Sequence, residues 1–262
     1  MSGSAKRQLS KSSIAYVALG VMLISVMTVI GMSAFMRATE IKVEGASAYN
    51  YNAIVEASGL SVGDNLMFIN LQTISQQIRS ELPFVREANV LRILPNTIII
   101  EVDESVAIAS VTSAGTIYII DSSIRVLAKY QALESSPDLS GLIEVRGLEI
   151  EDSEPGSAIK AIFGAETKLQ YAQDVLSALE RENLSDDVSY LDVSNIVNVH
   201  FGFMGRYRVI LGGSTSMRPS NIRHNMGRLV ESVPIVEERY PNTIGDLDLS
   251  DESIAPKFTP TS

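Results

Sequence analysis

The stretch LPFVREANVLRILPNTIIIEVDE, Leu82 to Glu104, carries the clearest local pattern in the chain. Val85–Leu91 reads as extended backbone, and Pro95-Asn96 supplies a turn. The residues that follow alternate, with Ile98, Ile100 and Val102 on one face and Thr97, Ile99, Glu101 and Asp103 on the other. A period of two belongs to a half-buried strand, so the segment predicts two consecutive strands joined tightly. Immediately upstream, Leu71, Ile74, Ile78 and Leu82 recur at helical spacing, with Gln72, Gln76, Gln77 and Arg79 opposite them. Asn70 is placed to cap that helix and Pro83 to stop it. Further back, Ile41–Val43 is a short extended run ended by Gly45. Asn50 or Asn52 can cap a brief helix through Ala57, and Gly59 suits the position after its end. Residues 41–103 therefore predict strand, helix, helix, strand, strand: two helices on one face of a small mixed sheet. At about 65 residues such a unit can bury a modest core of its own.

Working downstream, Gly115–Ile120 is a strand candidate, Asp121-Ser122-Ser123 its turn and Ile124–Leu127 its return. Ala165–Arg181 is amphipathic on Leu169, Ala172, Leu176 and Leu179. Val197, Val199, Phe201 and Phe203 alternate with polar or small residues, Met204-Gly205 turns the chain, and Tyr207, Val209 and Leu211 return, which predicts a hairpin. Pro219-Ser220 opens a short helix on Ile222, Met226, Leu229 and Val233. A last strand spans Ile244 to Leu249, with Leu247 and Leu249 facing one way and Asp246, Asp248 and Ser250 the other. From Asp251 the Ser/Pro/Thr-rich end predicts disorder.

Working upstream, Ile14 to Met36 is a run of 23 residues without a charge. At ~1.5 Å per residue a helix of that length spans about 34 Å, enough for a hydrocarbon core of ~30 Å. Lys6, Arg7 and Lys11 precede it and the first acid is Glu40, so the positive-inside bias puts the amino terminus in the cytoplasm. A cleaved signal peptide has an apolar region of only about 7–15 residues and a small-residue exit, whereas this run leaves through Phe35-Met36-Arg37. Nothing polar marks a face on the run, and the cationic tail that flanks it points to lipid rather than to a buried core helix.

The 262 residues carry 21 Lys+Arg against 31 Asp+Glu, a net charge of −10. Setting aside Lys6, Arg7 and Lys11 leaves 18 basic against 31 acidic residues beyond the run, about −13. Such a field disfavours phosphate backbones and anionic membrane surfaces. Cysteine is absent, which excludes disulfides, thiolate metal sites and cysteine nucleophiles. No nucleophile-elbow serine and no His-Glu-x-x-His occurs, and the Gly212-Gly213-Ser214 cluster lacks the lysine of a phosphate loop. His200 and His224 fall on different elements without ligand spacing, and His200 is expected to face solvent. The Asp186-Asp187 and Glu151-Asp152 pairs lack the spacing of a calcium loop. No cofactor, metal, nucleic acid or small-molecule substrate is expected.

The order of parts resembles the FtsQ/DivIB family of bacterial cell-division proteins. "IKVEGASAYN" and "GLSVGDNLMFIN" look like the opening of that family's POTRA domain, and Leu82 to Glu104 resembles its closing hairpin. The family's Glu-Arg-x-Pro-x-Ala type segment is only partly kept: Glu104 and Ala109 are present, the Arg and the Pro are not. "GTIYIIDSSIRVL" is similar to the entry into the family's β domain, and "GRYRVILGGSTSMRPSNIRHNMGRLVESV" to its closing strand, glycine turn and helix. The resemblance implies an α+β protein with a cytoplasmic tail (1–13), a transmembrane helix (14–36), a POTRA-like domain (37–107), a β domain on a mostly antiparallel sheet (108–250) and a disordered tail (251–262). It also implies a non-enzymatic scaffold at the septum of the inner membrane, binding small single-span coiled-coil proteins of the FtsL and FtsB/DivIC type and acting through them on septal peptidoglycan synthesis. A membrane-anchored assembly or transport chaperone using the same POTRA-like unit is the alternative, and a wall hydrolase the rival from the enzymes.

An edge strand offers unpaired N–H and C=O groups to which a partner strand can add, and outward charge keeps such an edge selective. Ile244, Asp246, Leu247, Asp248, Leu249 and Ser250 fit that description, and the resemblance likewise implies a partner contact on the last strands and the neighbouring helix. Arg223 and Arg228 on that helix are candidate helpers, within a basic set that includes Arg218 and His224. The competing reading is a solvated helix face forming surface ion pairs worth roughly 0–1 kcal/mol each.

Overall fold

The computed structural model describes residues 11–131, 137–213, 218–251 and 253–261. Lys6 and Arg7 of the expected cytoplasmic tail, and Ser214 of the glycine cluster, lie outside them. The chain divides into two compact units, Met1–Arg79 with Glu87–Glu104, and Ser80–Arg86 with Ser105–Ser262.

The first unit begins with the helix α1, Lys11–Phe35. Its described side chains run from Ala15 to Val29, with Phe35. Among the described residues, no helix is long and apolar enough to cross a membrane. Then come β1 (Glu40–Glu44), α2 (Tyr51–Ser58), α3 (Leu71–Glu81), β2 (Val85–Ile93) and β3 (Thr97–Glu104), in the order β1-β3-β2 with β1 parallel to β3. The local signals act as expected. Asn50 caps α2, accepting the Ala53 N–H at 2.9 Å, and Gly59 ends it in the left-handed region at φ 65°. Asn70 Oδ1 accepts the N–H groups of Gln72 and Thr73. Ile54, Leu66, Ile78, Ile98 and Ile100 form the fully buried centre.

Glu104 closes this unit. Its Oε2 accepts the Ser47 N–H (2.8 Å), the Ser47 hydroxyl (2.6 Å) and the Ala48 N–H (2.7 Å), which ties the turn after β1 to the end of β3. Burial alone would raise the Glu104 carboxyl. The hydrogen bonds from Ser47, Ala48 and Tyr49 outweigh it and hold the group below the usual carboxylate range. A depressed folded pKa gives stability that is present above the unfolded value, about 4.3, and is lost as pH falls through the folded value. Glu104→Gln is therefore expected to lower the unit's stability by about 1 kcal/mol at pH 7, a figure kept small by solvent screening at this half-exposed site. The difference from the parent should vanish in acid. Thermal melts at pH 7 and pH 3 check this, and an equal deficit at both would remove the charge from the explanation.

Among the described residues, the second unit is built on a nine-stranded mixed sheet. Its strands are β4 (Ala109–Ser113), β5 (Thr116–Ile120), β6 (Val126–Gln131), β7 (Ile143–Arg146), β8 (Val188–Asp192), β9 (Val199–Phe203), β10 (Tyr207–Gly212), β11 (Gly245–Asp248) and β12 (Lys257–Pro260). The spatial order is β12-β11-β10-β9-β8-β7-β4-β5-β6. Five of the eight pairings are antiparallel, while β10–β11, β7–β8 and β4–β7 are parallel. Register carries one apolar row across the strands: Tyr118, Val111, Val145, Leu191, Phe201, Val209, Leu247 and Phe258. The helices α4 (Glu166–Arg181) and α5 (Pro219–Arg239) bury Val175, Leu176, Leu179, Ile222, Met226 and Leu229 in the same core.

Two expectations fail here. The helix opened by Pro219 is not short, because it continues through Pro234 to Arg239 and keeps Val236 buried. The end beyond Asp251 is not uniformly disordered. Lys257–Pro260 form β12, paired antiparallel to β11, because Phe258 is apolar and meets the sheet's apolar row.

Candidate partner-binding edge

The physical consequence is that the predicted edge strand is not an edge. β11 lies between β10, to which it is parallel, and β12. The outermost strand of the sheet at this end is β12.

Three features fasten β12. The Phe258 ring stands edge-on to Tyr207, with centroids 5.9 Å apart at 84°, and 5.1 Å from Tyr240, which follows α5. Gly245, opposite Pro260, leaves room for it: a Cβ there would lie 2.5 Å from the Thr259 carbonyl oxygen and 2.6 Å from the Phe258 ring. Arg228 clasps the connection, donating to the carbonyls of Leu249 (3.3 Å), Asp251 (3.1 Å) and Ile254 (2.5 Å) and to Asn225 Oδ1 (3.0 Å). Within the connection, the Ser253 hydroxyl and N–H hydrogen-bond Asp251 and hold its carboxyl below the usual range.

The expected site residues are divided by this arrangement. Leu247 and Leu249 are core. Asp246 is half-buried and takes a bidentate grip from Arg208, Nε at 2.9 Å and Nη2 at 2.5 Å. Asp248 is exposed and accepts the Ser250 N–H, with Ser250 half-buried. Ile244 is exposed, and its carbonyl accepts the Thr261 N–H at 2.9 Å. Arg223, with Arg218 and His224, is exposed on or beside α5, whereas Arg228 is occupied by the connection. Phe258, Tyr240 and Gly245 were not singled out by the sequence. The one signal that could have found them is an aromatic residue between two prolines, Pro256 and Pro260.

The Thr261 bond fixes the direction of every backbone group on β12. Residues 257, 259 and 261 turn theirs toward β11, so 256, 258 and 260 turn theirs outward. Proline at 256 and 260 has no N–H, so between those positions the outer rim presents three carbonyls and a single donor, the Phe258 N–H. On the sheet face opposite the apolar row, Arg146 stacks 4.2 Å over the Tyr190 ring, and Tyr190 meets half-buried His200 edge-on. A cavity of ≈ 380 Å³ opens beside Tyr190, Arg208 and Asp246. Among the described residues, no group of three His, Asp or Glu side chains could hold a metal ion.

Residues 36–105 match the family model "POTRA domain, FtsQ-type". The fold and that match define a POTRA-bearing protein with a second, sheet-built unit. Three curated relatives extend the likeness. The chain is 22% identical over 178 residues to the cell division protein DivIB of Clostridium tetani, covering 68% of this chain and 64% of that protein. It is 26% identical over 212 residues to DivIB of Clostridium acetobutylicum, covering 80% and 78%. It is 30% identical over 138 residues to the cell division protein FtsQ of Corynebacterium glutamicum, covering 53% and 59%. The chain is thus similar to the FtsQ and DivIB cell-division proteins, with its first unit matching their POTRA domain.

Proposed function

We propose that this chain is a non-enzymatic cell-division scaffold. It sits in the bacterial inner membrane with its amino terminus cytoplasmic and its two units outside, at the septum. It binds small single-span division proteins of the FtsL and FtsB/DivIC type and links them to septal peptidoglycan synthesis. The match to an FtsQ-type POTRA domain and the likeness to DivIB and FtsQ cell-division proteins support the division role. The uncharged run 14–36 of the sequence supports the membrane anchor, and among the described side chains of α1, Val17, Leu19, Met22, Ile24 and Met27 are all exposed. Its hydroxyls at Ser25 and Thr28 donate back to the carbonyls of Val21 and Ile24 at 2.8 Å, the internal satisfaction that lipid demands.

The observation that carries the docking part is the open outer rim of β12. A partner strand adds there, with exposed Asp248 and Ile244 on the neighbouring segment to read its side chains. The test is capture of coiled-coil ectodomains of FtsL and FtsB/DivIC type by the full-length protein and by a chain ending at Ser250. Loss of 251–262 removes β12 and should weaken capture by at least about tenfold, roughly 1.4 kcal/mol. Undiminished capture by the shortened chain would move docking away from β12. A fluorescent fusion that fails to concentrate at the septum of dividing cells would overturn the division role itself.

A further inference from the structure

The loop between α2 and α3 is stitched to the residues that leave α1. The Leu66 N–H donates to the Met36 carbonyl at 2.9 Å, the Gly63 N–H to Ala38 at 2.7 Å, and the Ala38 N–H to Asp64 at 2.8 Å. Arg37 and Asn65 form an isolated β-bridge, and Arg37 Nη1 reaches the Gly63 carbonyl at 3.4 Å. Leu66 is fully buried and pins the loop to the core of the first unit. Its neighbours do the opposite: Val62, Met67 and Phe68 are 70%, 54% and 84% exposed. Scattered exposed apolar residues are ordinary, but three within seven positions on one stitched loop are a patch.

The stitching fixes where that patch stands. Met36 directly follows Phe35, the last residue of α1. Three extended residues cover about 10 Å at ~3.3 Å each. The headgroup layer outside the hydrocarbon core is about 5–8 Å thick on each side. A loop hydrogen-bonded to residues 36–38 therefore lies at headgroup level when α1 spans the bilayer. We infer that the loop Ser61–Ile69 is a second membrane contact, inserting Phe68, Met67 and Val62 into the lipid interface and holding the first unit down on the membrane. Arg37, exposed on the same stitched segment, sits where lipid phosphates lie. The inference rests on the anchor reading of α1 and goes beyond it, since a spanning helix alone leaves the following domain free to swing.

The chain has no tryptophan, so a single introduced one reports its own surroundings. The test uses full-length protein in phosphatidylethanolamine/phosphatidylglycerol vesicles, with and without acyl-chain-brominated lipid. Phe68→Trp is the probe and Leu23→Trp reports on α1. Ala48→Trp, exposed on the loop at the far end of β1, is the aqueous control. Phe68→Trp should show blue-shifted emission that brominated lipid quenches about twofold or more, as at an interfacial position, while Ala48→Trp stays unquenched. Quenching at 23 with water-like emission at 68 would overturn the loop contact and keep the anchor. Water-like emission at both would overturn both. Quenching at 68 without quenching at 23 would keep the loop on the lipid and discard the spanning helix. A blue shift at 68 that brominated lipid leaves untouched means a protein partner covers the loop, and also overturns the inference.

Discussion

Gly245→Val is expected to free β12 from the sheet while the rest of the second unit stays folded. The new Cβ would stand 2.5 Å from the Thr259 carbonyl oxygen, a backbone atom that cannot swing aside, and 2.6 Å from the Phe258 ring. Either β11 distorts or β12 leaves. β11 is held by the parallel pairing with β10 and by buried Leu247 and Leu249, whereas β12 has only four residues and no buried one. The weaker partner yields. The global loss should stay at about 1–3 kcal/mol, as for an overpacked site that can relax. The local loss should be complete: amide exchange at Lys257, Thr259 and Thr261 should rise to the rate of an unpaired segment. Partner capture should fall as far as it does in the chain ending at Ser250. Retained protection at those three amides would show that the sheet absorbs the side chain and that Gly245 is not what admits β12.

Gly45→Ala should be the most damaging small substitution in the first unit. Gly45 follows β1 at φ 82°, in the left-handed region, which costs an L residue roughly 1–2 kcal/mol. Its Cβ would also lie 2.2 Å from the Val102 carbonyl oxygen, so the turn must lift off β3. Together these should cost about 3 kcal/mol or more, equivalent to roughly 12–24 °C in melting temperature for a unit of this size. A melt of the full chain that resolves the first unit measures it. A shift of only a few degrees would mean that the turn re-forms without its contact to β3.

Legibility in the sequence follows how local the determinants are. The first unit was readable almost throughout, because its signals act within a few residues: the Asn50 and Asn70 caps, the stops at Gly59 and Pro83, and the alternation from Thr97 to Asp103. In the second unit the hairpin β9–β10 showed, but β4, β7 and β8 did not. β4 is buried at Ala109, Ser110, Val111 and Ser113 and so does not alternate, and β7 has only four residues. Both belong to parallel pairings, whose partners are distant in the chain. β12 was hidden for the same reason. Pro256, Pro260 and the surrounding Ser and Thr have the composition of a loose end, and only the slot formed by Tyr207, Tyr240 and Gly245 makes Phe258 a strand residue. The strand singled out as an edge lies one strand in, between β10 and β12, its apolar members Leu247 and Leu249 are core, and Arg228 holds the chain's own connection.

Pro256, just before β12, and Pro260 at its end also set terms for whatever comes alongside. A guest strand arriving there finds plenty of oxygen and almost no hydrogen: it must supply nearly all the donors itself, and its own oxygens have a single notch to fall into, at Phe258. Sliding by two residues loses that notch. A stray sheet margin gains little by zipping on, whereas a cognate chain has one alignment to find.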